Sequence, residues 1–233
     1  MNREEALLSA PDRNPQDRAQ DVPRRAADTV KMGDLSSDHS ILELEPGKGW
    51  FTDILLRLTS ECGSLTVQQP AVLDAFFGKE ARQRITRSKH PRANYIDAPW
   101  DKLAPQDSSI DRVVWLQGPH ELWFVPASGV NLGKPEAVFS EIVRVLKPDG
   151  LLLLIDNLAP KGMAIDKAAA LHRSNPKFLR EAFEGKGLVL EKQDEHWITN
   201  KDDPLTIPTY NSKVHLKTHQ FLQIFYKPSP RPE

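Results

Sequence analysis

The chain has 233 residues, which is enough for one sizeable hydrophobic core and short for two. Its 31 basic and 32 acidic residues give a net charge of -1, so no chain-wide charge attracts nucleic acid or an acidic membrane. The sequence has neither the roughly 18 to 20 consecutive apolar residues of a membrane span nor the apolar run of a secretory signal, and we expect a cytoplasmic protein.

The predicted elements begin with residues 1–38, whose prolines and missing apolar period indicate an extended arm with one or two short helices. Beyond it, short apolar runs alternate with segments of helical period. The predicted strands are 41–45, 64–68, 94–97, 110–117, 151–156, 187–193 and 219–227, and the predicted helices are 50–58, 70–85, 134–146 and 175–185. The proline-rich end, residues 229–233, is typical of a disordered tail.

This alternation of strands and helices favours βαβ units around a parallel sheet. The uninterrupted LLLLID at 151–156 is typical of a central strand that is buried on both faces. The last two strands have no clear helix between them, which indicates an antiparallel hairpin at one edge. We therefore predict an α/β fold over residues 39–228: a Rossmann-like, seven-stranded, mostly parallel sheet with helices on both faces and an antiparallel C-terminal edge strand.

The turn after the first predicted strand reads ELEPGKGWFT and lies where open α/β sheets bind ligands, beyond the carboxyl ends of the strands. Gly47 and Gly49 allow backbone amides to approach a ligand closely, and the next helix presents its N-terminus there. A turn of this kind also serves a plain strand-to-helix connection. A nicotinamide-binding loop would instead need GxGxxG, which this turn does not have.

Three segments resemble class I S-adenosylmethionine-dependent methyltransferases: ILELEPGKGWFTDIL, ANYIDAPWDKLAPQDSSIDRVV and EIVRVLKPDGLLLLID. More narrowly, the chain resembles a bacterial group of predicted, largely uncharacterised methyltransferases that carry an ExWPGGGWYT-like loop. Members of that group share an N-terminal stretch rich in Arg and Asp, a histidine after strand four, an LHR segment, a DD pair and an RFVLKFRKP-like end. The match covers most of the chain in the right order.

The resemblance implies a set of cofactor-binding residues for S-adenosylmethionine. Glu45 replaces the first glycine of the family loop, where its charge would repel the carboxylate of the methionine moiety or meet its amino group or sulfonium. Gln68 takes the place of the acidic residue that ends strand two and binds the ribose hydroxyls. Asp97 and Ala98 take the positions after strand three at which such enzymes hold the adenine. The full implied set is Glu43, Glu45, Gly47, Gly49, Gln68, Asp97 and Ala98.

The candidate catalytic residues are His120 and Asp156, which follow strands four and five on the cofactor side of the sheet. An imidazole with a pKa near neutrality is a candidate base, and Asp156 would position it or the substrate. His172 and Arg173 are the candidate substrate-binding residues, although Arg173 would equally form a surface salt bridge. The single cysteine, Cys62, is too few for a zinc site, so we expect no metal.

The leading hypothesis is an S-adenosylmethionine-dependent methyltransferase that acts on a small molecule, as a monomer or homodimer, without nucleic acid or membrane partners. The alternative is a methyltransferase-like domain that has lost turnover and serves as a binding or regulatory module. The substitutions at Glu45 and Gln68 motivate this alternative. A nicotinamide-dependent oxidoreductase on a similar sheet is disfavoured because the GxGxxG loop is missing.

Overall fold

The computed structural model describes residues 3–59, 62–124 and 132–229. Its seven strands form one sheet in the order β3-β2-β1-β4-β5-β7-β6. Strands β1 to β5 are parallel, and β7 runs antiparallel to both β5 and β6. The strands are β1 Ser40–Leu44, β2 Ser64–Gln69, β3 Ala93–Asp97, β4 Ile110–Leu116, β5 Leu146–Asn157, β6 Val189–Ile198 and β7 Gln220–Tyr226. The predicted fold is confirmed.

Nine helices connect or flank these strands within the described residues. They are α1 Arg3–Leu8, α2 Pro15–Asp21, α3 Ala26–Met32, α4 Trp50–Leu58, α5 Ala71–Leu73, α6 Lys79–Ser88, α7 Pro135–Val145, α8 Ile165–Ala170 and α9 Pro176–Glu184. A π-helical turn, Asp74–Gly78, joins α5 to α6, and a 3-10 helix, Pro119–Trp123, follows β4. No described helix has the length and apolar character that a membrane crossing requires.

The hydrophobic core has two parts, one on each face of the sheet, because successive strand residues point to opposite faces. Leu42 and Leu44 of β1 belong to the cluster that contains Phe139 of α7. Ile41 of the same strand belongs to the cluster that contains Ile54 of α4. Burial on both faces explains why the central strands have continuous apolar runs rather than alternating ones.

The N-terminal arm contains three short helices, where one or two were predicted, and it packs against the core, so the prediction that it is extended is wrong. Val30 of α3 is 2% exposed and belongs to the core cluster that α4 also joins. Arg13 is 2% exposed and its guanidinium contacts Asp21 at 2.5 Å and Asp53 at 3.0 Å. This packing was not predicted because buried ion pairs hold part of the arm in place. The apolar residues at helical spacing from which a packed helix is predicted are missing there. The boundary at residue 38 stays a prediction, and residues 230–233 of the predicted tail lie outside the described part of the chain.

Candidate functional site

The candidate site lies at the carboxyl edge of the parallel strands, at the point between β1 and β4 where the strand order reverses. The loops that follow β1, β2 and β3 form one half of this edge. The segments that follow β4 and β5 form the other half. Strand order alone therefore brings the glycine loop, the end of β2 and the histidine after β4 to the same side of the sheet.

The glycine loop after β1 is open on one side and closed on the other. Gly47 and Gly49 have φ angles of +55° and +81°, in the left-handed region that favours glycine. A Cβ added to Gly47 would meet no atom within 4 Å, whereas one added to Gly49 would lie 2.7 Å from Cδ of Arg84. The surface beside Gly47 is thus the part of the loop that a ligand can approach.

Glu43, the acidic residue of the family motif, is 3% exposed and points toward α4. Its carboxylate accepts a hydrogen bond of 2.6 Å from the Thr52 hydroxyl. Burial raises the pKa of Glu43 to about 7, and the Thr52 hydrogen bond and nearby arginines oppose this rise only in part. Glu43 therefore supports the start of α4, and a direct contact between Glu43 and a cofactor stays a prediction.

Glu45 occupies the position of the first family glycine in a left-handed conformation, with φ of +55°. For a residue with a side chain, this conformation costs roughly 1–2 kcal/mol. Within the described residues, its buried Oε2 has no hydrogen-bond partner of normal geometry. A Cβ added to Gly118 would lie 2.0 Å from that oxygen, so the side chain points from the glycine loop toward the segment after β4. Burial and the Glu121 carboxylate raise the pKa of Glu45 well above its usual value.

Gln68, which we predicted to end strand two and to face the ribose, is followed by Gln69 as the last residue of β2. The Gln68 amide nitrogen donates to the carbonyls of Pro99 and Lys102, both at 3.0 Å, and its oxygen accepts from the Ala104 amide at 3.0 Å. The side chain is fully buried and engaged in holding the loop after β3.

Gln69, the last residue of β2, is the residue that the sequence reasoning missed. It is fully buried, and both polar atoms of its side chain lack a partner within the described residues. A buried amide without hydrogen-bond partners destabilises the fold by about 1–3 kcal/mol. Such a group therefore indicates a partner, such as a bound ligand, outside the described chain. The two consecutive glutamines at 68–69 were the only feature of the sequence that pointed to Gln69. Because neighbouring residues on a strand face opposite sides of the sheet, a shift of one residue changes which glutamine faces the candidate site.

The structural role of Gln68 gives a first prediction. Substitution of Gln68 by Leu should lower the free energy of unfolding by about 1–3 kcal/mol, because backbone groups of the 98–104 loop lose their buried partners. Hydrogen exchange at the Ala104 amide should accelerate in the same variant. The matched control is Gln83→Leu on the exposed face of α6, which should change stability by less than about 0.5 kcal/mol. Equal stability of the two variants would contradict this role for Gln68.

The residues implied for adenine lie next to Gln69. Asp97 ends β3 in register with Gln69, is exposed, and lies 3.8 Å from the Arg82 guanidinium. The backbone amide of Ala98 donates to the Gln69 carbonyl at 3.3 Å. These contacts bring Asp97 and Ala98 beside the unpartnered Gln69 side chain. Binding of adenine by either residue stays a prediction.

His120 and Asp156 are in direct contact. His120 lies in the 3-10 helix after β4, and its Nδ1–H donates to Asp156 Oδ1 at 2.8 Å. The His120 backbone amide donates to Oδ2 of the same carboxylate at 3.1 Å, and the Ser174 hydroxyl donates to it at 2.5 Å. Asp156 is fully buried. It therefore fixes the orientation of the His120 ring, whereas a contact between Asp156 and a substrate, and the catalytic role of both residues, stay predictions.

The other nitrogen of His120 faces two further titratable groups. Its Nε2 lies 3.2 Å from Nδ1 of His172 and 3.4 Å from Oε1 of Glu121, and the latter two atoms are 2.9 Å apart. Burial opposes the charged imidazole, but the Asp156 and Glu121 carboxylates raise the pKa of His120 to about 10. Glu121 is also buried, yet both histidines lower its pKa to about 2. Glu121 is thus a further residue of the candidate site. Its position next to His120 in the sequence did not by itself indicate this.

The two residues predicted to bind substrate have different surroundings. The His172 side chain is 17% exposed, and its ring packs against the rings of Phe124 and Tyr210 at centroid distances of 4.4 and 5.0 Å. Arg173 is 1% exposed and forms a bidentate pair with Asp203 at 2.9 and 2.7 Å. The prediction that Arg173 holds an anionic substrate is therefore wrong. The pair is buried, and so it is not the surface salt bridge that we considered.

Comparisons with known proteins give one family match over part of the chain and several solved structures with the same fold. Residues 42–154 match the family described as "Methyltransferase domain". A S-adenosylmethionine-dependent methyltransferase from Aquifex aeolicus is 12% identical over 97% of this chain and 99% of its own, with a TM-score of 0.61. A geranyl diphosphate C-methyltransferase from Streptomyces coelicolor, solved with Mg²⁺, geranyl diphosphate and S-adenosylhomocysteine, is 12% identical over 95% of this chain and 87% of its own, with a TM-score of 0.60.

A further solved structure is a phosphoethanolamine N-methyltransferase from Haemonchus contortus, in complex with phosphomonomethylethanolamine and S-adenosylhomocysteine. It is 16% identical over 88% of this chain and 52% of its own, with a TM-score of 0.60. No curated protein matches the chain. At these identities the solved structures establish the fold, and the acceptor molecules in them belong to those proteins. The narrower resemblance to a bacterial group stays a prediction.

Proposed function

We propose that this chain, which matches a methyltransferase-domain model over residues 42–154 and shares the fold of solved S-adenosylmethionine-dependent methyltransferases, methylates a small molecule with S-adenosylmethionine as donor. The observation that supports this most directly is the unpartnered amide of Gln69, buried at the end of β2. An amide offers one acceptor and one donor group, which suits a pair of ribose hydroxyls. The accessible side of Gly47 lies at the same edge of the sheet.

The proposed cofactor-binding residues follow from this arrangement. Gln69 replaces Gln68 as the ribose partner, and Asp97 and Ala98 remain the proposed adenine partners. Backbone amides beside Gly47 would approach the methionine moiety, and Glu43 would hold the start of α4 through Thr52. The bound cofactor would supply an electrophilic methyl group on a sulfonium. The chain's own task would be to exclude water and to align the acceptor with that methyl group.

His120 remains the proposed catalytic residue. Asp156 binds its Nδ1–H, so Nε2 is the ring nitrogen that can exchange a proton with an acceptor. Because the pKa of His120 is raised to about 10, and is not near neutrality as expected, the ring is protonated at neutral pH and would act as a base only after passing that proton on. Glu121 and His172 lie within 3.4 Å of that nitrogen and would be the next partners for the proton. His172 is the partly exposed member of this group, so we propose that it contacts the substrate.

Calorimetric titration with S-adenosylhomocysteine tests the proposal. We expect micromolar binding by the full chain, and its loss in the variant Gly47→Val, whose side chain would fill the accessible space of the loop. The matched control is Gly187→Val: Gly187 also has a positive φ, +92°, and open space around it, but it lies just before β6, at the edge of the sheet opposite the glycine loop. This control carries the same backbone strain and should bind like the natural chain. The absence of binding by the natural chain at millimolar ligand would refute the proposal.

The Gln69 assignment has its own test in the same titration. The variant Gln69→Asp should bind about ten-fold more tightly, because hydrogen bonds to a carboxylate are about twice as strong as those to an amide. Gln68→Asp should instead lose stability without a gain in affinity, since Gln68 holds the 98–104 loop. An affinity gain in Gln68→Asp and none in Gln69→Asp would reverse the assignment. Binding of a nicotinamide nucleotide in place of the nucleoside product would favour an oxidoreductase.

One observation favours the alternative of a binding module without turnover. Glu45 narrows the loop at a position where the family has glycine, and its side chain reaches toward the segment after β4. A protein that binds S-adenosylhomocysteine but whose Glu45→Gly variant alone converts S-adenosylmethionine in the presence of candidate acceptors would support this reading. Turnover by the natural chain would exclude it.

A further inference from the structure

We infer that His120, Glu121 and His172 form a binding site for one divalent transition-metal ion of the kind that imidazole ligands prefer. Each residue offers one ligand atom, and all three atoms lie within 4.8 Å of one another. His120 and His172 are 52 positions apart, so their spacing in the sequence does not indicate a metal site. This inference replaces the expectation of no metal, which rested on the cysteine count.

The spacing of the three atoms matches the coordination shell of a small cation. The distances are 2.9 Å between Glu121 Oε1 and His172 Nδ1, 3.2 Å between the two histidine nitrogens, and 3.4 Å between His120 Nε2 and Glu121 Oε1. Tetrahedral zinc at about 2.0–2.1 Å from each ligand separates ligand atoms by about 3.3 Å. An ion can therefore enter with only small movements of the side chains.

A second observation supports the site independently of these distances. A metal-binding histidine usually donates its other ring N–H to a carboxylate or carbonyl, which fixes its tautomer and orientation. His120 does this through Nδ1 to Asp156, at 2.8 Å. Asp156 is in turn held by the Ser174 hydroxyl and by the Asn157 backbone amide, at 2.5 and 2.7 Å. The outer-shell contacts expected of one metal ligand, His120, are thus already present.

The charges around the cluster also favour a cation. The carboxylates of Glu121 and Asp156 contact the His120 ring, Glu121 also contacts His172, and both acidic residues are buried. The Glu45 side chain interacts with the Trp115 indole, and its Oε2 lies against Gly118, two positions before His120. Three protein ligands leave a fourth position open, as in catalytic zinc sites.

The donor set determines the class of ion. Two imidazole nitrogens and one carboxylate oxygen suit Zn²⁺, Fe²⁺ or Ni²⁺, whereas Mg²⁺ and Ca²⁺ require oxygen ligands. An ion in this site would bind an oxygen or sulfur atom of a substrate in its open position and favour the ionised form of that atom. With an ion bound, Nε2 of His120 is a ligand and cannot exchange a proton, so the ion would replace His120 in activating the acceptor. This last role rests on the proposed methyl transfer, but the metal site itself does not.

Zinc titration of the untagged, metal-free full chain tests the inference, by calorimetry and by the zinc retained after dialysis. We expect one Zn²⁺ per chain, and a loss of affinity in His172→Ala and Glu121→Gln beyond the about 10–100-fold that outer-shell changes cause. The control is His196→Ala, which removes an exposed imidazole from β6 and should bind zinc like the natural chain. Circular dichroism spectra and melting curves would show that each variant is folded.

Two further measurements make the test sharper. Cobalt(II) bound in the cluster should give a visible absorption band that Glu121→Gln changes and His196→Ala leaves intact. Mg²⁺ at millimolar concentration should not displace zinc. No retained zinc, or equal zinc binding by the folded His172→Ala variant, or full competition by Mg²⁺, would overturn the inference. Zinc binding without any binding of S-adenosylhomocysteine would leave the metal site standing and refute the proposed methyltransferase.

Discussion

Substitution of Asp203 by Ala should lower the free energy of unfolding by about 3–5 kcal/mol, the largest loss of stability that we expect from one change. Arg173 and Asp203 have no exposed side-chain surface, so the variant would leave a charged guanidinium buried without its partner. Asp203 also accepts hydrogen bonds from the backbone amides of Leu205 and His219, at 2.9 and 2.7 Å. Urea denaturation followed by circular dichroism measures this loss.

The comparison with an exposed ion pair makes the result specific. Arg180 and Glu184 of α9 lie 3.1 Å apart with 49% and 37% of their side chains exposed. Glu184→Ala should therefore cost less than about 1 kcal/mol. The double variant Arg173→Met, Asp203→Leu should recover much of the loss, because an apolar pair leaves no buried charge. If Asp203→Ala is as mild as Glu184→Ala, the buried pair does not hold this part of the chain together.

This pair also bears on the candidate metal site. Arg173 follows His172 directly, and its guanidinium donates to the Leu158 carbonyl at 3.1 Å as well as to Asp203. The pair therefore anchors the backbone that places the His172 ring beside His120. The function of Arg173 that we infer is structural support for a functional neighbour, in place of the substrate contact that the sequence suggested.

Substitution of Glu43 by Gln should remove a pH dependence of stability that amounts to about 2–3 kcal/mol between pH 5 and pH 8. Burial raises the pKa of Glu43 from 4.5 to about 7, so the folded protein binds this proton more tightly than the unfolded chain. The resulting stabilisation is fully present below pH 4.5 and is lost as the pH rises through 7. Above that value a buried, charged carboxylate weakens the fold.

Urea denaturation of both proteins across this pH range measures the difference. Relative to the natural chain, Glu43→Gln should gain stability steadily as the pH increases, since its amide stays neutral and can still accept the Thr52 hydrogen bond. Other titrating groups, Glu45 among them, affect both proteins and cancel in the comparison. Glu191→Gln, at an exposed position of β6, serves as control and should follow the natural chain at every pH. Parallel curves for Glu43→Gln and the natural chain would contradict the raised pKa.

The sequence by itself determined the class of fold and the edge of the sheet where function is sought. Apolar runs, helical periods and glycine turns are local properties, and they predicted all seven strands and the helices that separate most of them. Residues that directly follow a strand were also predictable, because the carboxyl ends of parallel strands share one edge. His120 and Asp156 were identified in this way, and the structure joins them by a hydrogen bond of 2.8 Å.

Only the tertiary structure decided which side chains meet. The extension of β2 by one residue exchanged the roles of Gln68 and Gln69, since neighbouring residues on a strand face opposite sides of the sheet. The burial of Arg173 against Asp203 depends on a loop 30 positions further along the chain. The cluster of His120, Glu121 and His172 likewise forms between segments that are distant in sequence. Local patterns fix the elements, but contacts between distant segments depend on packing, and these contacts determine the chemistry of the site.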